Sequence, residues 1–300
     1  MPTYRNMRGL TEIVGGDFQR TGPTALRILV GSQLRRLREE RNITRERAGY
    51  AIRGSHSKIS RMEGGRCGFK IRDVEDLLTL YGVVERAERA TLLLLAEQAN
   101  QHGWWHDYRD VVPDWFEEYL GLEQDAELIR THEIQYVPGL LQTEDYARAV
   151  IARGHGGESR ERVESRVQLR MRRRELLDSS GRRLWAIVDE GALRRLVGGR
   201  DVMRAQLGHL VEMAGLAHVT LQVLPFSVEV AVGGVGPVTL LRFPQAELDD
   251  IVYLEQLASA QYLTKDAEAH PYRHLLNELS VHAPPPKATP GILRRIMEEL

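Results

Sequence analysis

The sequence predicts a multi-domain protein: a small all-α domain first, then an α+β domain with a small mixed or antiparallel sheet. Three observations predict it. From Leu29 to Gln101, apolar residues recur at helical spacing in successive segments with short connections. After Arg183 the pattern shortens to β-branched or aromatic-rich runs bounded by Gly, Pro or Asp. The length of 300 residues suits about two domains at ~150 residues each.

Residues 1–24 are polar, contain Gly15-Gly16 and Pro23, and show no sustained period, so they read as a flexible arm. The helical domain spans residues 25–101. Its first helix, Leu29 to Arg41, places Val30, Leu34 and Leu37 on one face and ends at Asn42. Thr44 can cap a second helix, because its hydroxyl can accept a hydrogen bond from a free N–H of the first turn. Ala48, Ala51 and Ile52 supply that helix's inner face, and Gly54 breaks it. Ser55 caps a third helix with Ile59 and Met62 inward, and Gly64-Gly65 stops it. Asp73 to Tyr81 and Glu85 to Gln101 complete the set.

Residues 102–283 form the second domain. Trp115 to Gly121, Asp125 to His132, Thr143 to Arg153 and Ser159 to Asp178 read as helices, the last with Val163, Val167 and Met171 on one stripe. Leu184 to Val188, Val219 to Leu224, Val238 to Phe243 and Ile251 to Leu254 read as strands. Helices at about Asp201 to Ala214 and Lys265 to Val281 intervene. Residues 284–300 read as a Pro-rich linker and a terminal helix from Ile292.

Composition narrows the function. The 42% hydrophobic content permits a proper core, and 28% charged residues is near the ~25% of soluble domains. No apolar run approaches the ~18 residues that span a bilayer, and the first residues lack the apolar core of a secretion signal. Cys67 is the only cysteine, which excludes an intrachain disulfide. A soluble, cytoplasmic protein with no membrane contact is expected. The net charge of -1 conceals an asymmetry, because residues 25–83 hold 13 Lys and Arg against 7 Asp and Glu. A basic first domain suits contact with a polyanion.

Residues 43–63, ITRERAGYAIRGSHSKISRME, are the most informative stretch. Two short helices joined by a tight turn, the second opening with small polar and basic side chains, make a helix-turn-helix that reads the DNA major groove. Together with LRRLREERNITRERAGYAIR and GFKIRDVEDLLTLYGV, it resembles the lambda-repressor/Cro (XRE) type found in actinobacterial regulators. Further on, GWWHDYRDVVPDWFEEYLGLEQDAELIRTHEIQYVPGLLQTEDYARAVI, LWAIVDEGALRRLVGG, VTLQVLPF, GPVTLLRF and DIVYLEQL resemble the carboxyl-terminal domain of WhiJ-like, antitoxin-like regulators.

Position on the third helix nominates Ser55, His56, Ser57 and Lys58 to face base edges, with Arg61 one turn on. Thr44 and Arg45 open the second helix. Regulators of this type commonly hold the DNA backbone there with Gln; Arg45 departs from that but is a competent phosphate donor. They also commonly carry Gly where this chain has Arg53 followed by Gly54, a departure at the turn. Glu63 is read as a structural partner of Arg35 or Arg38 in a partly exposed pair.

Other features take bland assignments. His102 and His106 share a helical spacing but lack a third ligand, so no metal site is expected. Trp104 and Trp105 suit packing or an interdomain contact, with ligand or partner contact as the alternative. Asp189-Glu190 reads as a helix start rather than acid–base machinery. Arg170, Arg172, Arg173 and Arg174 alternate with Glu as a solvated helix face. Gly233 to Gly236 reads as a loop, and Cys67 as an ordinary free thiol. No phosphate loop, GxGxxG after a strand or HExxH is present, so neither an enzyme nor a cofactor is expected.

The whole reads as a sequence-specific DNA-binding transcriptional regulator, expected to work as a homodimer on double-stranded DNA and to read two half-sites about one helical turn apart. The resemblance implies control through the second domain by a small protein encoded by an adjacent gene. The alternative is a one-component regulator whose second domain senses a small-molecule effector.

Overall fold

The computed structural model describes residues 21–178, 181–228 and 236–300. The arm up to residue 20 and Gly233 to Val235 lie outside the described residues. The chain divides into two compact units, 1–106 and 107–300, so the segment from His102 to His106 belongs to the first.

Among the described residues the first unit holds five α-helices: α1 (Pro23–Glu40), α2 (Arg45–Ala51), α3 (His56–Glu63), α4 (Ile71–Leu80) and α5 (Arg86–Gln98). Helix α1 begins well before Leu29, since Pro23 lies in its first turn, where a missing N–H costs nothing. Thr24, read as part of the arm, is buried at its start. Leu26, Leu29, Val30, Leu34 and Leu37 line its inner side. Gly31 permits close contact with α3: a Cβ there would lie 2.4 Å from the Met62 carbonyl oxygen. Ile59 and Met62 of α3 pack into the same core with Val74, Leu77, Leu78 and Tyr81.

The second unit begins with α6 (Asp114–Asp125) and β1 (Leu128–Glu133), then α7 (Glu144–Gly154), α8 (Arg160–Asp178) and β2 (Arg183–Asp189). There follow α9 (Glu190–Arg194), α10 (Arg200–Met213), β3 (Val219–Leu224), β4 (Val238–Arg242), β5 (Ile251–Glu255) and β6 (Ala260–Leu263). Helices α11 (Asp266–His282) and α12 (Thr289–Glu299) close the chain.

Six strands form one mixed sheet in the order β3-β2-β1-β4-β5-β6. Strand β1 runs parallel to β2, and β2 to β3, whereas β1–β4, β4–β5 and β5–β6 are antiparallel. The chain therefore builds outward from β1 on one side, then returns to build on the other.

Strand β1 corrects the helix expected over Asp125 to His132. Ile129 and Thr131 point to one sheet face, Arg130 and His132 to the other, and all four are buried. A strand at the centre of a sheet covered on both faces shows no polar-out alternation, so its period is masked. Strand β6 was not expected. The terminal helix is also no appendage of a linker. Leu293 and Ile296 of α12 are fully buried, and the Thr289 hydroxyl donates to the Leu221 carbonyl at 2.6 Å, which ties it to β3. Among the described residues no helix is long and apolar enough to cross a membrane.

Candidate nucleic-acid interface

The surface built by α2 and α3 starts from two caps. The Thr44 hydroxyl accepts from the Arg47 N–H at 3.2 Å, and the Ser55 hydroxyl accepts from the Lys58 N–H at 3.2 Å. Each satisfies one of the free N–H groups of its helix's first turn. Between them, Gly49 packs so closely that a Cβ would lie 2.9 Å from the Ser55 carbonyl carbon. Arg53 occupies the left-handed region with φ 52°. The turn thus keeps the conformation that glycine favours, with an arginine held in it at a cost of about 1–2 kcal/mol.

Glu63, at the end of α3, clamps three elements. It accepts from Arg38 Nε at 2.5 Å and Nη2 at 3.0 Å, and from Arg45 Nε at 2.9 Å. Arg38 also donates to the Ile43 carbonyl at 2.8 Å. The partner is therefore Arg38, while Arg35 pairs with Glu39 along α1 at 2.9 Å. The expected partly exposed pair is instead buried, with the Glu63 side chain only 3% exposed. Two guanidinium groups converging on one carboxylate make that burial tolerable.

The nominated residues divide into engaged and free. Arg45 is engaged with Glu63, although its side chain stays 38% exposed and can still reach a phosphate. Lys58 is less free than expected, because its ammonium group pairs with Asp73 at the start of α4. Ser55 spends its acceptor on the cap. His56, Ser57 and Arg61 are exposed, and their side chains bond to no described residue. Ser60, not nominated, is exposed on the same helix. Arg66 and Lys70, also exposed and basic, follow in the connection to α4. They were overlooked, although a basic residue just beyond a reading helix is a readable signal.

Outside this surface, Trp105 is buried and its indole lies over Gly103, where a Cβ would sit 2.2 Å from the ring. Trp104 meets it edge-on at 6.0 Å. Trp105 is thus a packing residue. His102 and His106 stack with centroids 4.0 Å apart, and no group of three or more His, Cys, Asp or Glu side chains able to hold a metal occurs among the described residues. Burial pushes the Cys67 thiol up, despite the opposing charges of Arg61, Lys58 and Arg27, which makes it a poor nucleophile. The Asp189 carboxylate accepts from the Gly191 N–H at 2.7 Å and caps α9, and Glu190 pairs with Arg194 at 2.6 Å.

The arginine cluster of α8 is not a solvated face. Arg173 is buried and gives two 2.8 Å hydrogen bonds to Glu123 of α6, which is fully buried. Arg170 donates to Gln142 at 2.9 Å. Helix α8 has two covered sides: Val163, Val167 and Met171 meet Ala147 and Ile151 of α7, and the arginine side meets α6. Arg172 alone reaches an exposed acid, Asp107, at 3.3 Å.

Residues 29–92 match the model of a helix-turn-helix domain, and residues 116–295 match that of a domain of unknown function, DUF5753. No curated protein and no solved structure matches the chain. The first unit is a helix-turn-helix of the DNA-binding kind, followed by that α+β domain.

Proposed function

The chain belongs to the DUF5753 family and carries a helix-turn-helix ahead of the family domain, and from that premise we propose that it is a sequence-specific transcriptional regulator. The opening of α3 carries this reading. His56, Ser57 and Arg61 stand exposed and unengaged on a helix that is capped by Ser55 and clamped by Glu63. A reading head needs that combination of free tips on a fixed base, because base contacts are geometrically strict.

In this reading the protein works as a homodimer on two half-sites about one helical turn, ~34 Å, apart. Arg45, Arg66 and Lys70 hold phosphates, while His56, Ser57 and Arg61 meet base edges. The second domain sets when DNA is held, by binding a small protein encoded by an adjacent gene, as the resemblance to antitoxin-like regulators suggests. Catalysis forms no part of it. A nuclease footprint on the DNA upstream of the protein's own gene tests this. Two protected patches one turn apart are expected, altered when the adjacent small protein is added. No sequence-dependent protection would overturn the DNA reading, and protection indifferent to the small protein would overturn its role.

A further inference from the structure

The second domain contains a cluster of charged and aromatic side chains that runs from its core to the surface at Glu255. Its base is the buried Glu123–Arg173 pair, to which the Tyr119 hydroxyl adds a 2.8 Å hydrogen bond. Phe116, Tyr119, Tyr253 and Tyr262 follow one another with centroid separations of 5.4, 4.2 and 5.3 Å. The Tyr253 hydroxyl donates to Glu255 at 2.9 Å, and Glu255 is exposed, so the cluster opens to solvent.

Two half-buried groups stand in it without the partners their charges call for. Glu133 ends β1, and its carboxylate has no hydrogen bond or ion pair with any described residue. Burial and the like charge of Glu255 push it up to about 8, against the pull of Arg170. Arg170 donates to the neutral Gln142 and has no ion pair with any described residue; burial lowers it to about 10. A desolvated acid and a desolvated base that face one region without pairing are costly to fold around. Such expense is characteristic of a ligand site.

Topology points to the same place. Strands β1 and β5 run in the same direction, and their carboxyl ends carry Glu133 and Glu255 on one sheet face, two strands apart. The order of strand addition reverses beside β1. The carboxyl ends of parallel-running strands are where open sheets commonly hold ligands.

We propose that this cluster binds a small zwitterion, a free α-amino acid, with its ammonium group between Glu133 and Glu255 and its carboxylate on Arg170. The ring of Tyr253 offers an apolar and cation-accepting wall. The Glu123–Arg173 pair holds Tyr119, and through it the wall, in place. No proton need be stored elsewhere: the incoming ammonium favours ionised Glu133, so binding near pH 7 releases a proton to solvent. The other titratable groups facing Glu133 are Glu255, Arg170 and Tyr146, whose hydroxyl is pushed up to about 12 by burial and stays neutral.

This inference concerns the second domain alone and does not depend on DNA binding, so a failed footprint leaves it standing. The test is titration calorimetry on the full chain at pH 7, using each of the twenty L-amino acids, their decarboxylated amines and their N-acetyl derivatives. At least one amino acid is expected to bind with Kd below about 1 mM, and loss of either ligand charge to weaken it by about tenfold or more. Affinity should rise between pH 6 and 8, with proton release visible in buffers of different ionisation heat. Glu133→Gln should weaken binding about tenfold, and Arg170→Gln likewise, with Arg170→Lys partly restoring it. Either variant that melts poorly is replaced by the other. Absence of binding by every amino acid to the cooperatively folded wild type overturns the proposal, as does equal binding by N-acetyl derivatives or by Glu133→Gln.

Discussion

Asp73 holds the ammonium group of Lys58 at the start of α4, and so decides how much charge the reading helix presents to DNA. Asp73→Asn should release it. Binding to random duplex DNA should tighten, and the slope of log K against log salt should steepen by about 0.9, one phosphate's worth. Fluorescence anisotropy across a salt series measures this; an unchanged slope would mean that Lys58 points away from the backbone. Glu63 carries a different burden, since Arg38 is buried against it. Glu63→Ala leaves that buried guanidinium with only the exposed Glu39 carboxylate, 3.2 Å from its Nη2, and should cost about 3 kcal/mol in urea unfolding. A loss under 1 kcal/mol would contradict the clamp. The Glu63–Arg38 partnership was readable because α1 and α3 must cross. Asp73 was not, because its approach to Lys58 depends on how α4 folds back. Glu133 was passed over, as a single acid ending a strand carries no pattern, and Arg170 was read as part of a solvated helix face because its neighbours alternate with Glu.

At the scale of elements, caps and turns were the most legible features. Thr44 and Ser55 cap as their chemistry dictates, and Gly64 ends α3. The exception at Arg53 is a strained turn, so Arg53→Gly should stabilise the fold by about 0.5–1 kcal/mol, after the added freedom of glycine in the unfolded chain is counted. A lower thermal midpoint would show that the arginine makes a compensating contact. The strands were less legible. Strand β1 is covered on both faces and imitates a helix in its burial, and β6 is short and half-exposed.

The junction of β4, β5 and α11 rests on Asp250, which accepts from Arg242 at 2.9 and 2.8 Å and from Arg273 at 3.3 Å. Burial pushes its carboxyl up, but the hydrogen bonds and charges of those arginines outweigh it and hold it below the usual range. A lowered folded pKa contributes stability above the unfolded value near 4 and loses it as pH falls further. The stability difference between wild type and Asp250→Asn should therefore be about 1–3 kcal/mol at pH 7 and shrink as pH falls below about 4 and the folded carboxyl protonates. A difference independent of pH would show that the carboxylate is not what the arginines need.

For the molecule as a whole, a charge asymmetry between the first domain and the rest is legible in the sequence. Residues 25–83 carry a net +6 while the entire chain sums to -1, so the acidic balance lies elsewhere. The order of domains was equally plain, because the helical period gives way to short β-branched runs only once. What stayed hidden was the reach of the second fold to its last helix, since α12 packs through Leu293 and Ile296 from beyond a proline run that imitates a linker. The central claim is that DNA is read through the exposed opening of α3. The most direct measurement compares wild type with the His56→Ala/Arg61→Ala double variant for binding to the protected upstream sequence and to random DNA, with folding verified by thermal melting. Loss of about 1–3 kcal/mol per base contact on the specific sequence, with binding to random DNA much less affected, is the predicted result. Equal specific binding by the folded double variant would contradict the account.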